Sequence, residues 1–245
     1  MEWRDEALIL SARPFGENSK IVDVLARSQG RASGMVRGAR SAKMRALLQP
    51  GNVVHATHRA RLDNQLGTFA LELTNARAGL VMETAYGAFG LQFIAAMLGF
   101  LPERDPHPRL VAAANAVIDA VALPAAAGEA GVRFERILLD ELGFGLDLSA
   151  CAATGSRENL THASPRTGRA VSAAAAAPYR DRLLPLPDFL IDADAPATAA
   201  GVADGFRLTG HFLGTHVAGP ANKPLPPARE RFVKAVVRAL AREVS

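Results

Sequence analysis

The hydrophobic pattern of this chain changes its period near residue 80, and that change restricts the possible folds more than any other feature. Before it, apolar and polar residues alternate over short runs that end in Gly or polar turns, a pattern typical of β-strands. After it, apolar residues recur every three or four positions, as in α-helices. The pattern predicts a β-rich domain over residues 1–80 and a helical domain over residues 81–245.

The first region contains five candidate strands. They cover residues 7–12, 20–27, 31–38, 52–62 and 68–74. Five short strands in about 80 residues are typical of a small closed barrel, and an oligonucleotide-binding (OB) barrel is the natural candidate. In the fourth strand, His55 and His58 are three positions apart. Their side chains should therefore point to opposite faces, which argues against a shared metal ion.

Positive charge is concentrated in the barrel region. Residues 1–80 contain 12 Lys/Arg against seven Asp/Glu, although the net charge of the whole chain is only +4. Seven cations and no acid occur in one stretch: Arg31, Arg37, Arg40, Lys43, Arg45, Arg59 and Arg61. A local field of one sign selects polyanionic partners. These seven residues are therefore the predicted nucleic-acid contacts.

The same stretch lacks the rings that usually bind bases. No aromatic residue occurs between Gly16 and Phe69, whereas proteins that bind single strands commonly stack bases on aromatic side chains. We expect contacts mainly to phosphate, which are salt-sensitive, independent of sequence and leave base edges exposed. A protein that holds strands in this way could promote pairing of complementary strands.

The second region has helical periodicity with one interruption. Helices are predicted over residues 81–99, 109–123, 124–143, 198–217 and from 227 onward, and an irregular segment over residues 144–180. The apolar stretch at 84–102 contains several Gly and a Gln, which favours a buried helix over a membrane span. In the last helix, Arg231, Lys234 and Arg238 form one stripe. This stripe is either a solvated face or a contact for nucleic acid or an acidic peptide.

Enzymatic motifs are missing from the sequence. There is no G-x-x-x-x-G-K-[ST] loop, no G-x-S-x-G and no run of paired acids that would hold a divalent metal. The single cysteine, Cys151, excludes an internal disulfide. We predict no catalytic residue, no metal site and no cofactor. The N-terminus alternates charges where a signal peptide needs an apolar run, so a cytoplasmic location is expected.

Four segments, taken in order, point to a known family. They are GMVRGARS at 34–41 with LQPG at 48–51, FERILLDELGF at 134–144, CAATG at 151–155 and SPRTGRAVS at 164–172. Their sequence and spacing resemble the RecO family of bacterial recombination and DNA-repair mediators, over nearly the whole chain. The resemblance implies an α+β protein: a five-stranded OB barrel followed by an all-α C-terminal domain with a zinc-finger-like segment.

The resemblance also implies function and partners. It implies binding to single- and double-stranded DNA, strand annealing, and partnership with RecR and with the acidic C-terminal tail of single-strand binding protein. Indirectly it implies help in loading the RecA recombinase. Arg231, Lys234 and Arg238 are the expected contacts for the peptide tail. Zinc-bearing relatives have C-x-x-C-G and a later G-G-x-x-C-x-x-C. Here only Cys151 remains, with Thr154, Ser172 and Ala175 at the other ligand positions, so the finger is expected to be degenerate and zinc-free.

Two alternatives remain open from the residues themselves. The first is a protein–protein adaptor whose basic barrel binds an acidic protein instead of nucleic acid. The second is a hydrolase whose site carries none of the common motifs. Binding of a labelled oligonucleotide across a salt series separates the DNA-binding hypothesis from the adaptor hypothesis.

Overall fold

The structure is a computed structural model that describes residues 1–62 and 65–243. It divides into two compact units, Met1–Val121 and a second unit that begins at Ala122. The strands are β1 (Glu2–Phe15), β2 (Ser19–Ala26), β3 (Gly30–Arg37), β4 (Val53–Arg59), β5 (Gly67–Asn75), β6 (Leu160–Ala163), β7 (Ala170–Ser172) and β8 (Leu184–Pro185). The α-helices are α1 (Ala42–Leu47), α2 (Ala78–Met82), α3 (Ala85–Met97), α4 (Pro108–Asp119), α5 (Pro124–Glu141), α6 (Ala173–Ala176), α7 (Ala199–Phe212) and α8 (Pro227–Glu243).

The first five strands form a closed barrel in the order β1-β2-β3-β5-β4. All neighbours pair antiparallel except β3 and β5, which pair parallel over a short stretch. Alternate residues point inward and fill the interior. The largest apolar ones are Ile9, Val22, Val24, Val36, Leu47, Leu48, Val54 and Phe69. The expected OB-type barrel followed by a helical region is confirmed.

Strand β1 is much longer than the predicted run over residues 7–12. Its charged N-terminal part was not recognised because it has no apolar alternation. Backbone pairing with β4 holds this part in place instead. Two exposed ion pairs accompany it: Arg4 lies 3.5 Å from Glu72, and Arg59 lies 3.0 Å from Glu2. At the other end, Pro14 is tolerated because it pairs with Lys20 next to the hairpin turn.

The basic loop between β3 and β4 contains a short helix, α1, that hydrophobic periodicity did not predict. The Ser41 side chain caps it by accepting a hydrogen bond from the Met44 backbone N–H at 3.2 Å. Leu47 and the following Leu48 are buried in the barrel core. The helix is therefore fixed at both ends, which makes the loop an ordered element.

Three helices complete the first unit. The apolar stretch predicted as one helix is divided into α2 and α3, because Thr84 begins a new helix by capping Gly87 N–H at 2.9 Å. Phe93, Ile94 and Met97 are fully buried, in agreement with the expected buried helix. Within the described residues, no helix has the length and apolarity that a membrane crossing requires.

The second unit is built around α5, α7 and α8. Helix α5 ends in a Schellman motif: Gly143, at φ +84°, donates to Asp140 O, and Phe144 N–H donates to Leu139 O at 2.8 Å. A buried ion pair joins the three helices. Glu135, which has no exposed surface, accepts two hydrogen bonds from Arg229 at 2.6 and 2.9 Å and one from Thr209.

The segment over residues 144–180 is more regular than predicted. It contains β6 and β7, which with β8 form a three-stranded antiparallel sheet in the order β7-β6-β8. Periodicity did not indicate these strands because each has only two to four residues. The domain boundary at residue 80 stays a prediction. The barrel strands end at Asn75, and the division of the chain into two compact units falls between Val121 and Ala122.

Candidate nucleic-acid interface

The strand register places outward side chains of several neighbouring barrel strands side by side, at one level of the barrel. Directly paired residues point to the same face of a sheet, and neighbouring strands are about 4.8 Å apart. The outward residues at this level, in spatial order, are Arg13, Ile21, Met35, Thr68 and Arg59. One level further along, the paired residues are Phe15, Ser19 and Arg37. Cationic side chains thus occupy both edges of a partly apolar outer face.

Arg37 and Arg40 lie where β3 leaves the barrel. Both side chains are exposed and have no ion-pair partner in the part of the chain that the structure describes. The backbone between them is fixed, because Ala39 is buried and its N–H donates to Asn18 O at 3.1 Å. Gly38 makes the turn at φ +68°, a conformation that favours glycine. The two guanidinium groups therefore extend from an ordered turn.

Lys43 and Arg45 are carried by α1. Met44 and Leu47 face the barrel, so Lys43 and Arg45 lie on the two opposite flanks of this inward stripe, and both are exposed. Neither has an ion-pair partner among the described residues. With Arg37 and Arg40 they form a set of four cations along nine residues, which we call the basic turn.

Asn52 fixes α1 against the rest of the unit. Its side chain is buried at 2% exposure; Nδ2 donates to Ala46 O at 3.0 Å and to Leu47 O at 3.1 Å. Its Oδ1 accepts from the N–H groups of Arg77 and Ala78, both at 3.0 Å. Asn52 therefore joins the C-terminal end of α1 to the beginning of α2. No local sequence signal indicates this role, since a single Asn before a strand is common.

Two of the seven predicted contacts are paired with carboxylates. Arg59 donates to Glu2, and this hydrogen bond raises the pKa of the Arg59 guanidinium. Arg31 is half-buried and lies 3.8 Å from Glu103. Six residues separate Arg31 from Arg37 along β3, about 20 Å in an extended strand. The structure therefore places Arg31 apart from the basic turn. Arg61 is exposed, just beyond the end of β4.

Acids also lie on the same outer face: Glu2 is directly paired with Arg59, and Asp23 with Ser11. Asp23 accepts hydrogen bonds from Ser11 and Ser33, at 2.5 and 2.6 Å, and its carboxylate is 3.8 Å from Arg13. The Arg13 guanidinium offsets part of this negative charge, so the carboxylate opposes an approaching phosphate less than an unpaired acid would.

Sequence reasoning missed two residues on this face, Arg13 and Phe15. The Arg13 side chain is 62% exposed, and Phe15 is 50% exposed. The alternation of Ser11, Arg13 and Phe15 could have extended the predicted strand, but Pro14 interrupted the pattern. Phe15 is the exposed ring of this face.

The rings of Trp3, His58 and Phe69 point inward. Trp3 stacks on His58 with centroids 5.1 Å apart, and Phe69 meets His58 edge-on at the same distance. His55 is exposed on the opposite face of β4, as expected. Neither ring nitrogen of His58 has a hydrogen-bond partner among the described residues. Burial, followed by the charges of Arg104 and the N-terminus, lowers the pKa of His58.

The predicted peptide contacts lie on the exposed side of α8. Arg231, Lys234 and Arg238 are all exposed, whereas Phe232 and Val236 are buried. Lys234 is 2.5 Å from Glu230, and this pairing lowers the pKa of the Glu230 carboxyl. The stripe is therefore partly neutralised, and its role stays a prediction.

The segment over residues 144–180, for which the family resemblance implies a zinc-finger-like structure, has a donor set that does not fit zinc. A structural zinc site needs four ligands, usually thiolates or imidazoles. The buried Cys151 sulfur instead accepts hydrogen bonds from the Ser172 N–H at 3.2 Å and hydroxyl at 3.4 Å. Ala175 has no donor atom, and the described residues contain no cluster of three or more metal-ligating side chains.

Comparison with known proteins identifies the family. The family model described as "Recombination protein O N terminal" matches residues 1–77, and the model described as "Recombination protein O C terminal" matches residues 83–225. The chain belongs to the RecO family. It is 51% identical to DNA repair protein RecO of Methylobacterium nodulans over 95% of this chain and 97% of that protein. It is 49% identical to the RecO of Xanthobacter autotrophicus (98% and 99% covered) and 48% identical to that of Rhizobium etli (98% and 94% covered).

Proposed function

We propose that this RecO-family chain is a DNA-binding recombination mediator that holds DNA through phosphate contacts. A role in DNA repair follows from family membership. The observation that supports the finer proposal is the basic turn: four exposed cations on ordered backbone beside an OB-type barrel face. The two edge cations of that face, Arg13 and Arg59, lie beside Asp23 and Glu2, so they add little net charge to that of the basic turn.

Phosphate contacts suit the chemistry of this face better than base readout does. Among the described residues, Phe15 is the exposed phenyl ring that accompanies the cations, and Lys and Arg on turns bind phosphates without reading base edges. Bound strands would keep their bases free to pair, which is the physical basis that we propose for annealing. Both single- and double-stranded DNA offer the required phosphates.

The finer biological details are part of the same proposal. The chain acts without a catalytic group of its own, in the cytoplasm, with RecR and the acidic tail of single-strand binding protein as partners, and indirectly assists RecA loading. The exposed cations of α8, Arg231, Lys234 and Arg238, are proposed for the acidic tail. The helical domain is proposed to begin near residue 81 and to carry a finger-like segment without zinc. Elemental analysis of purified protein tests the absence of zinc: about one zinc per chain would contradict it.

A salt series tests the central proposal. The full-length protein is titrated with a fluorescent oligothymidylate at several salt concentrations. If the four cations of the basic turn neutralise four phosphates, log K falls with log salt at a slope of about −3, since each phosphate of a single strand contributes about −0.7. A flat response, or no binding at low salt, would instead support an adaptor that binds an acidic protein.

A further inference from the structure

The second unit contains a small cleft that phosphate binding by the barrel does not use. It has a volume of about 170 Å³ and lies between the turn after α5 (144–146), the β6–β7 turn (166–168) and the end of α7. Drug-sized ligands occupy cavities of about 300 Å³ or more. This cleft is therefore large enough for one flat ring system rather than for a folded peptide segment.

Three parallel rings line one side of the cleft. Phe144 stacks on His216 with centroids 5.2 Å apart and planes inclined by 15°, and His216 stacks on Phe212 at 6.0 Å and 12°. Phe212 is buried, whereas Phe144 is 40% exposed. The stack therefore runs from the core to the surface and ends in a ring that solvent reaches.

The backbone holds this stack by two local devices. The Schellman motif at the end of α5 orients Phe144. A π-helical turn, Leu213–Ala218, follows α7 and places His216 between the two Phe rings. Such turns are rare, and they occur frequently at functional sites because they redirect side chains.

The charge around the cleft favours an anionic ligand. None of the residues that line it is acidic. Arg166 at its rim is exposed and has no ion-pair partner in the described ranges. The nearby Arg169 is paired with Asp147 at 3.3 Å, so the rim presents one available cation. A single cation beside an exposed ring suits one nucleotide, whereas an acidic peptide would need several cations.

We propose that this cleft binds one base of single-stranded DNA, with the base stacked on Phe144 and its phosphate held by Arg166. This inference rests on the proposed DNA binding and adds a base-dependent contact to it. Stacking on an aromatic side chain tolerates any base, because every base has a π-face. The second unit would thus supply the ring contact that the barrel face largely lacks.

The test compares two strands of equal length, an oligothymidylate and the same strand made of stable abasic residues. Stacking contributes about 1–3 kcal/mol per base, so the wild-type protein should bind the thymidylate strand about 5- to 150-fold more tightly than the abasic strand. Phe144→Leu keeps an apolar side chain and removes the π-face. It should abolish this preference while leaving the salt slope unchanged. Phe144→Trp should retain the preference.

Tyr179→Leu is the matched control, because Tyr179 is an exposed ring elsewhere in the same unit, at 58% exposure. It should keep the preference. Equal binding of both strands by the wild-type protein, with a normal salt slope, would overturn the cleft inference and leave the proposed function standing. Absence of binding to either strand would reject both. Capture of a labelled acidic peptide that depends on Phe144, without competition by thymidylate, would assign the cleft to a protein partner instead.

Discussion

Each unit of this protein contains a cluster of three rings that includes a histidine, and the two clusters differ in what they face. In the barrel, Trp3, His58 and Phe69 fill the interior. In the second unit, Phe144, His216 and Phe212 lead from the core to an open cleft. The same side-chain chemistry therefore stabilises a core in one place and offers a binding face in the other, because backbone geometry decides where the rings point.

Exposed positive charge is distributed in the opposite way to exposed ring stacks. The barrel has exposed cations without a base-stacking cluster, whereas the cleft has a ring stack with one available cation, Arg166. From this comparison we propose a division between the units: the first binds DNA through salt-dependent phosphate contacts, and the second through a base-dependent contact. Each of the following predictions would sharpen or break that division.

The largest effect is expected for Arg37→Ala combined with Arg40→Ala. Each lost charge-assisted contact costs about 1.5 kcal/mol, and 1.4 kcal/mol is a tenfold change in affinity. The double variant should therefore bind single strands about 100-fold more weakly, with a salt slope shallower by about 1.4. Fluorescence anisotropy with two unrelated sequences measures both quantities.

Arg27→Ala with Arg157→Ala is the matched control, because both side chains are exposed, outside the two proposed sites and without an ion pair among the described residues. It removes the same net charge and should change affinity little. If the Arg37/Arg40 variant lost binding to only one of the two sequences, the barrel would be reading bases, and the division between the units would fail.

A smaller loss is expected for Asn52→Asp. The new carboxylate still accepts from the N–H groups of Arg77 and Ala78, but it cannot donate to the Ala46 and Leu47 carbonyls. Helix α1 should loosen, and ordering Lys43 and Arg45 on binding then costs about 0.5–1.5 kcal/mol for each side chain. Affinity should fall about tenfold, which anisotropy would detect.

Asn115→Asp provides the control for Asn52→Asp. It makes the same change of charge in the same unit, and Asn115 contacts Arg77 rather than α1. Thermal melting followed by the fluorescence of Trp3, the single Trp of the chain, shows whether each variant remains folded. A folded Asn52→Asp protein with unchanged affinity would exclude α1 from the interface.

The sequence predicted the barrel and the position of the basic turn, but not which cations are available. Strand alternation and an uninterrupted run of positive charge are local signals, so Arg37 and Arg40 could be recognised directly. The partners of Arg31 and Arg59 are Glu103 and Glu2, which are distant in sequence and meet them only through folding. The Phe144–His216 stack also depends on a π-helical turn, for which no simple periodicity exists.

The barrel cluster should make the first unit sensitive to acid. Burial lowers the pKa of His58 in the folded state, whereas an unfolded His titrates near 6.5. Below about pH 6.5 the unfolded chain therefore binds more protons than the folded chain, and stability falls as pH decreases toward the lowered pKa. Melting of the barrel, monitored by Trp3 fluorescence between pH 7.5 and 5.5, should show this loss.

His58→Leu should weaken that pH dependence because it removes the titrating imidazole. The imidazole makes no hydrogen bond within the described residues, so none is lost with it. His162 is the matched comparison: burial lowers its pKa too, but it lies on β6 in the second unit. His162→Gln should leave the Trp3 signal as sensitive to pH as in the wild type. Equal sensitivity of the His58→Leu protein would mean that another group controls the barrel.

The smallest effect, and the sharpest test of the comparison, is expected for Phe15→Leu. Phe15 is exposed at the same barrel level as Arg37, yet it belongs to no ring stack in the part of the chain that the structure describes. If the first unit binds phosphates alone, this variant changes affinity for oligothymidylate by less than about twofold. A loss of about 5-fold or more is the size expected for a stacked base. Such a loss, absent with the abasic strand, would place a base on the barrel as well and remove the distinction between the units.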